Sequence, residues 1–125
     1  MLNIRQNRIH TQAMIKTGHL FNEQHPDIYK KWVIGGFVRD SKFNSDHFEF
    51  KFQEDKKGMI REPKTVINTN TNTLAILIHG GVRLNFGVDD IILRDRGDYV
   101  WWSPDEPHLF EYLEDSLVIT LRWYK

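Results

Sequence analysis

The residues best able to do chemistry are concentrated in Gly97-Asp98-Tyr99-Val100-Trp101-Trp102-Ser103-Pro104-Asp105-Glu106-Pro107-His108. A Gly-Asp turn launches a short aromatic strand, two prolines stiffen the loop after it, and a histidine opens the next strand. Such wiring delivers one imidazole to a fixed place, where it can donate to a ligand or, if a carboxylate orients it, act as a general base. Asp105 and Glu106 are close in sequence but belong to the loop, so neither takes the orienting role. By strand parity Phe110 and Tyr112 share the face of His108 and extend an aromatic wall. Trp101 and Trp102 place one indole on each side of their strand, so both faces must be covered or must meet a ligand or partner. One reading is core plus dimer contact; the other is a stacking platform for a ring-shaped ligand such as a sugar.

The remaining candidates are more scattered. Thr73, Ala75, Leu77 and His79 lie on one side of a strand, so an inward Thr73 predicts an inward His79 near a barrel end. Parity alone does not bring that ring within coordination distance of His108. Lys64 and Arg83 are cations on predicted strands; Arg83 is expected to face solvent, because the apolar face of its strand is Val82, Leu84 and Phe86. The Asn-Thr alternation from Asn68 to Thr73 reads as a polar hairpin or loop. His10, His19, His25 and His47 sit in polar or terminal contexts and are expected to be solvated.

These groups need a scaffold, and the composition bounds it. The chain has 125 residues, 17 Lys and Arg against 17 Asp and Glu, and 40% apolar residues, enough for one domain with a real core. A sequence pI near 7.0 argues against nucleic acid or an anionic membrane as partner, since both demand a surplus of Lys and Arg. With no cysteine, disulfides, thiolate metal sites and cysteine nucleophiles are excluded. The amino end has positive charge without a following apolar stretch, and the longest apolar run, Leu74 to Ile78, is far short of the ~20 residues of a spanning helix. The expected compartment is the cytoplasm.

The pattern divides at about residue 30. Residues 1–30 are polar, with sparse apolar positions, and read as an arm or short helix that packs along an edge of its own barrel or a neighbour's. Residues 31–125 carry short apolar segments punctuated by Gly, Asn, Asp and Pro every eight to twelve residues, the spacing of an all-β sandwich or barrel. Phe48, Phe50 and Phe52 interleave with Glu49, Lys51 and Gln53, as Val82, Leu84 and Phe86 do with Arg83 and Asn85, which predicts two strands with one dry face each. Further strands are predicted over 32–38, 64–69, 73–78, 99–102, 108–113 and 117–123. Turns are predicted at 55–58, 80–81, 87–90, 96–98 and 114–115.

From about residue 45 onward, the glycine, proline-bearing loop and histidine of 97–108, together with the turn Lys57-Gly58 and the segment Thr73 to Gly80 followed by Val82 to Phe86, resemble the small single-domain cupins. That resemblance implies an all-β, cupin-like double-stranded β-helix, a jelly-roll barrel, following the amino-terminal arm. It also exposes a departure. Counting from Gly80 or from Gly58, the family's first-motif ligand positions fall on Thr73 with Val66 and Asn68, on Ile67 and Thr69, or on Lys64 and Val66, none a metal ligand. Only His108 is left of the four usual side chains, so no metal and no cofactor are expected. The leading expectation is a metal-independent binder of a small polar or carbohydrate-like molecule, with Trp102, Phe110, Asn68, Thr73 and His79 as ligand-binding residues. Two alternatives stand beside it: a metal-free sugar isomerase or epimerase with His108 as base and Tyr112 or Lys64 as counterpart, and a metal-dependent enzyme with atypical ligands from His79, His108, Asn68 and Glu106. A homodimer is expected, because an open sheet edge and the many aromatic residues are relieved by two-fold pairing.

Overall fold

The computed structural model describes residues 14–23, 30–61, 70–103 and 108–124. A short helix, α1 (Leu20–Glu23), precedes nine strands: β1 (Trp32–Ile34), β2 (Phe48–Asp55), β3 (Ile60–Arg61), β4 (Thr71–His79), β5 (Val82–Asn85), β6 (Asp90–Leu93), β7 (Tyr99–Trp102), β8 (Leu109–Tyr112) and β9 (Ser116–Tyr124). They form a five-stranded sheet in the order β1-β2-β9-β4-β7 and a four-stranded sheet in the order β3-β8-β5-β6. Every pairing between these strands is antiparallel. The neighbours β2 and β9, β4 and β9, and β5 and β8 are distant in sequence, which is the mark of a jelly roll rather than a meander. The all-β expectation is therefore met, while the strand expected over 64–69 lies outside the described residues.

Alternation explains the core. Ala75, Leu77 and Val118 on the five-stranded sheet meet Val82, Leu84, Leu93, Phe110 and Tyr112 on the other, all of them buried. Val82 and Leu84 turn inward as their alternation predicted, and Arg83 turns outward, pairing with Asp90 at 2.7 Å and Glu111 at 3.4 Å. The Asn-Thr stretch departs from expectation: Thr71 to Thr73 open β4, with Thr71 and Thr73 buried. Asp90, expected in a turn, instead begins β6, because β5 offers Asn85 as its register partner.

The larger departure concerns β2. Its phenylalanines were expected to form the dry face, yet Glu49, Lys51, Gln53 and Asp55 are the side chains that turn toward the opposite sheet. Register decides this: Gln53 is opposite the fully buried Val118, and Asp55 opposite the buried Ser116. Phe48, Phe50 and Phe52 lie on the outer face beside Trp123, Leu121 and Ile119. That face is apolar too, and Phe21 of α1 covers part of it, meeting Phe52 edge-on at 5.0 Å. With both faces of the sheet sheltered in part, hydrophobicity along β2 did not determine which one pointed inward. Among the described residues, no helix is long and apolar enough to cross a membrane.

One glycine is indispensable to the β4–β5 connection. Gly80 has φ of +99°, and a Cβ there would run into the Ser116 side chain and come within 2.5 Å of the Asp115 carbonyl oxygen. Ser116 cannot retreat, since its hydroxyl accepts from the Gly81 N–H at 3.0 Å and donates to the Glu114 carbonyl at 2.7 Å. Gly80→Ala is expected to cost about 2–4 kcal/mol through combined backbone strain and overpacking. A urea unfolding midpoint equal to that of wild type would contradict this account.

Candidate functional site

The inner face of the five-stranded sheet is organised in rungs that cross the strands. In one, Trp102 of β7, Thr73 of β4, Arg122 of β9 and Glu49 of β2 stand side by side. In the next, Val100, Ala75, Thr120, Lys51 and Trp32 do the same. Two rungs further, Ser116 faces Asp55 at the opposite end of the barrel. Strands lie ~4.8 Å apart, so the backbones carrying Trp102 and Arg122 are separated by ~10 Å, with Thr73 between them.

The first rung ends in an aromatic wall. His108, at the start of β8, packs against Trp102 with ring centroids 4.7 Å apart and against Phe86 at 5.4 Å. Phe86 and Trp102 close the triangle at 5.5 Å. The imidazole thus packs against rings from the ends of two other strands, β5 and β7. Phe110, two residues further along β8, continues the wall toward Tyr112, at 5.0 Å.

Beside this wall lies a row of charge. Arg122 pairs with Glu49 at 2.9 Å and carries its guanidinium 4.1 Å above the Trp32 ring, while its Nε, buried, has no hydrogen-bond partner among the described residues. Burial lowers the Arg122 pKa. The Lys51 ammonium sits 5.5 Å over the same indole. Burial pushes its pKa down to about 7, and the charges of Arg61, Arg122 and Lys31 push the same way against the attraction of Asp55. No carboxylate forms an ion pair with Lys51 among the described residues.

At the far end Asp55 is the hub. It accepts from Lys31 Nζ at 2.7 Å, from Gln53 Nε2 at 2.9 Å and from Arg61 Nη2 at 3.1 Å. Burial alone would raise its pKa, but the bonds from Lys31 and Gln53 and the charge of Arg61 bring it below the usual carboxylate value. Lys31 reaches it from a left-handed backbone, φ 74°, pinned as its carbonyl accepts from the Phe52 N–H. The neighbouring Tyr112 hydroxyl is buried without a hydrogen-bond partner among the described residues, and burial together with the Asp55 charge raises its pKa far above neutrality. That phenol stays protonated.

The sequence-predicted residues therefore separate into groups. His108, Trp102 and Thr73 come together, and Phe110 adjoins them. Tyr112 lies four residues along β8 from Leu109's predecessor His108, ~13 Å away, which removes it as an immediate proton-transfer counterpart. His79 does not turn inward: a register shift after Leu77 leaves it exposed beside Leu117, at the end away from His108. Six residues of strand separate it from Thr73, ~20 Å, so no shared metal with His108 is possible. Lys64, Asn68, Asp105 and Glu106 lie outside the described residues. Reading the phenylalanines of β2 as the dry face hid Glu49, Lys51, Gln53 and Asp55. The available signal was the polar parity of the neighbouring strands, where Thr71 and Thr73, Thr120 and Arg122 alternate in step with them.

Comparison with solved structures names the scaffold. The chain superimposes on a cupin superfamily protein from Desulfitobacterium hafniense DCB-2 with 13% identity and a TM-score of 0.58, covering 66% of this chain and 72% of that one. For KdgF from Halomonas sp. the values are 18% and 0.57, over 65% and 73%, and for an RmlC-like cupin from Shewanella frigidimarina NCIMB 400 they are 14% and 0.55, over 66% and 70%. The fold is that of a small cupin. No protein-family model and no curated protein matches the sequence. Many cupins hold a metal inside the barrel, but the residues described in this chain do not fit one. No three His, Asp or Glu side chains converge among them. His108 is packed between rings, and Glu49 and Asp55 are each engaged by cations.

The charge row makes two stability predictions. Asp55→Asn should cost about 3 kcal/mol at pH 7, because it leaves Lys31 and Arg61 facing a neutral amide. Since the folded carboxyl has a depressed pKa, the wild-type advantage is present above the ordinary value of 3.8 and fades as pH falls below it, which urea unfolding across pH 3 to 7 measures. Lys51→Met should act oppositely. The folded amine titrates near 7 and the unfolded one near 10.5, so its charge weakens the fold at pH 6 and stability recovers as pH rises between those values. A higher melting temperature for Lys51→Met at pH 6, narrowing by pH 10, is the expected result.

Proposed function

We propose that this cupin binds a small polar or carbohydrate-like molecule across the inner face of the five-stranded sheet, without a metal ion. The observation that carries the reading is the His108–Trp102–Phe86 wall, whose centroids stand 4.7–5.5 Å apart, on the same rung as Thr73 and the unsatisfied Nε of Arg122. Aromatic faces bury the apolar flank of a sugar ring, and neighbouring hydroxyl and guanidinium groups supply hydrogen bonds that fix its orientation. Trp102 and His108 are both half-buried, so they combine a fixed position with access to solvent. His108 is favoured as a ligand contact over a base, since Tyr112, its expected counterpart, is remote.

Calorimetric titration with glucose, galactose, mannose, N-acetylglucosamine and glucuronate, with Trp fluorescence in parallel, tests the reading. At least one sugar should bind, and Trp102→Leu and His108→Ala should each weaken it by about tenfold, a loss of roughly 1.4 kcal/mol. Binding that both variants leave unchanged would place the ligand elsewhere. Turnover that His108→Ala abolishes while affinity stays within about tenfold would make the protein an enzyme instead.

A further inference from the structure

We infer that Lys51 and Arg122 form an anion subsite, so that the molecule bound against the aromatic wall carries a carboxylate or phosphate group. The inference rests on the binding reading above and adds to it the charge of the ligand. Three observations lead to it. The first is a charge imbalance: among the described residues Lys31, Lys51, Arg61 and Arg122 gather about the two carboxylates Glu49 and Asp55. Of these cations Lys51 and Arg122 are part-buried, where water screens them poorly. A fold seeking stability alone would not gather them, since each desolvated cation without a counter-ion destabilises it.

The second observation is how the pairs are distributed. Asp55 is taken by Lys31 and Arg61, and Glu49 by Arg122. Lys51 stands between the two pairs over the face of Trp32, with no ion pair of its own among the described residues. It is half-buried, so a ligand can reach it. The third is the direction of Arg122: its Nη2 serves Glu49 while Nε is left without an acceptor. An oxyanion between Lys51 and Arg122 would satisfy both, and the two residues belong to adjacent rungs on adjacent strands. From there to Trp102 is ~10 Å across Thr73, which suits a sugar ring at the wall with its acidic group at the cations.

Protonation couples the subsite to pH. Among the described residues the groups around Lys51 are Lys31 ahead of β1, Glu49 and Asp55 on β2, Arg61 on β3, Tyr112 on β8 and Arg122 on β9. With a pKa of about 7, its ammonium dominates at pH 6 and is a minor form at pH 8, so anion affinity should fall by about tenfold over that interval.

Inorganic sulfate is the direct probe, because its own charge is constant between pH 6 and pH 8. Calorimetry or thermal shift at matched ionic strength should show sulfate binding to wild type at pH 6 and about tenfold more weakly at pH 8. Lys51→Arg should bind with no such pH dependence, and Lys51→Met should lose at least tenfold at pH 6 while remaining folded and no less stable. Sulfate affinity untouched by Lys51→Met, or constant with pH in wild type, overturns the inference. Matched sugars then identify the anion: glucuronate against glucose for a carboxylate, glucose 6-phosphate against glucose for a phosphate. Neutral sugars that bind as well as their acids overturn the anion subsite and leave the stacking reading intact. Sulfate bound through Lys51 with no sugar bound at all, acidic or neutral, does the reverse.

Discussion

A charged group between two packed sheets is tolerable only when its neighbours replace the water it has lost, and Asp55 is where this chain satisfies that condition most completely. Its carboxylate ties together the turn ahead of β1 through Lys31, its own strand through Gln53, and the opposite sheet through Arg61. The contact to Arg61 bridges the two layers at the end where β4 turns into β5 and Ser116 anchors the Gly80–Gly81 connection. With that end closed by ion pairs and by Tyr112, the opposite end is where Trp102, Phe86 and His108 gather.

The same constraint divides the inner face into a satisfied half and an unsatisfied half. Around Asp55, three donors converge on one carboxylate. Around Lys51 and Arg122, among the described residues, one guanidinium nitrogen has no acceptor and a lysine rests on an indole instead of an anion. Natural folds keep such imbalances where they serve a purpose, because the stability they forfeit is easily recovered by a neutral side chain. The half that holds Lys51 and Arg122 adjoins the aromatic wall on one short stretch of sheet.

A jelly roll supports many unrelated activities, and likeness at 13–18% identity carries the fold alone. What sets this barrel apart is its donor inventory. Among its described residues the imidazole of His108 is clasped by rings, and the carboxylates of Glu49 and Asp55 are engaged by cations.

Much of this was legible in the letters. The β7–β8 stretch announced its two strands and the histidine that precedes the second because turn residues and alternation are local properties, and Trp102 and Phe110 followed by parity. The sidedness of β2 was not legible. Phe48, Phe50 and Phe52 are as apolar as any core strand, and only pairing with β9, whose Val118, Thr120 and Arg122 turn inward, sends Glu49, Lys51, Gln53 and Asp55 between the sheets. The fate of His79 was equally hidden, because a register shift after Leu77 cancels the parity that pointed it inward. Local chemistry thus determined which strands exist and which of them carry reactive groups. Long-range pairing decided which face of each strand meets which other, because alternation specifies two faces and leaves the choice between them to the partner strand.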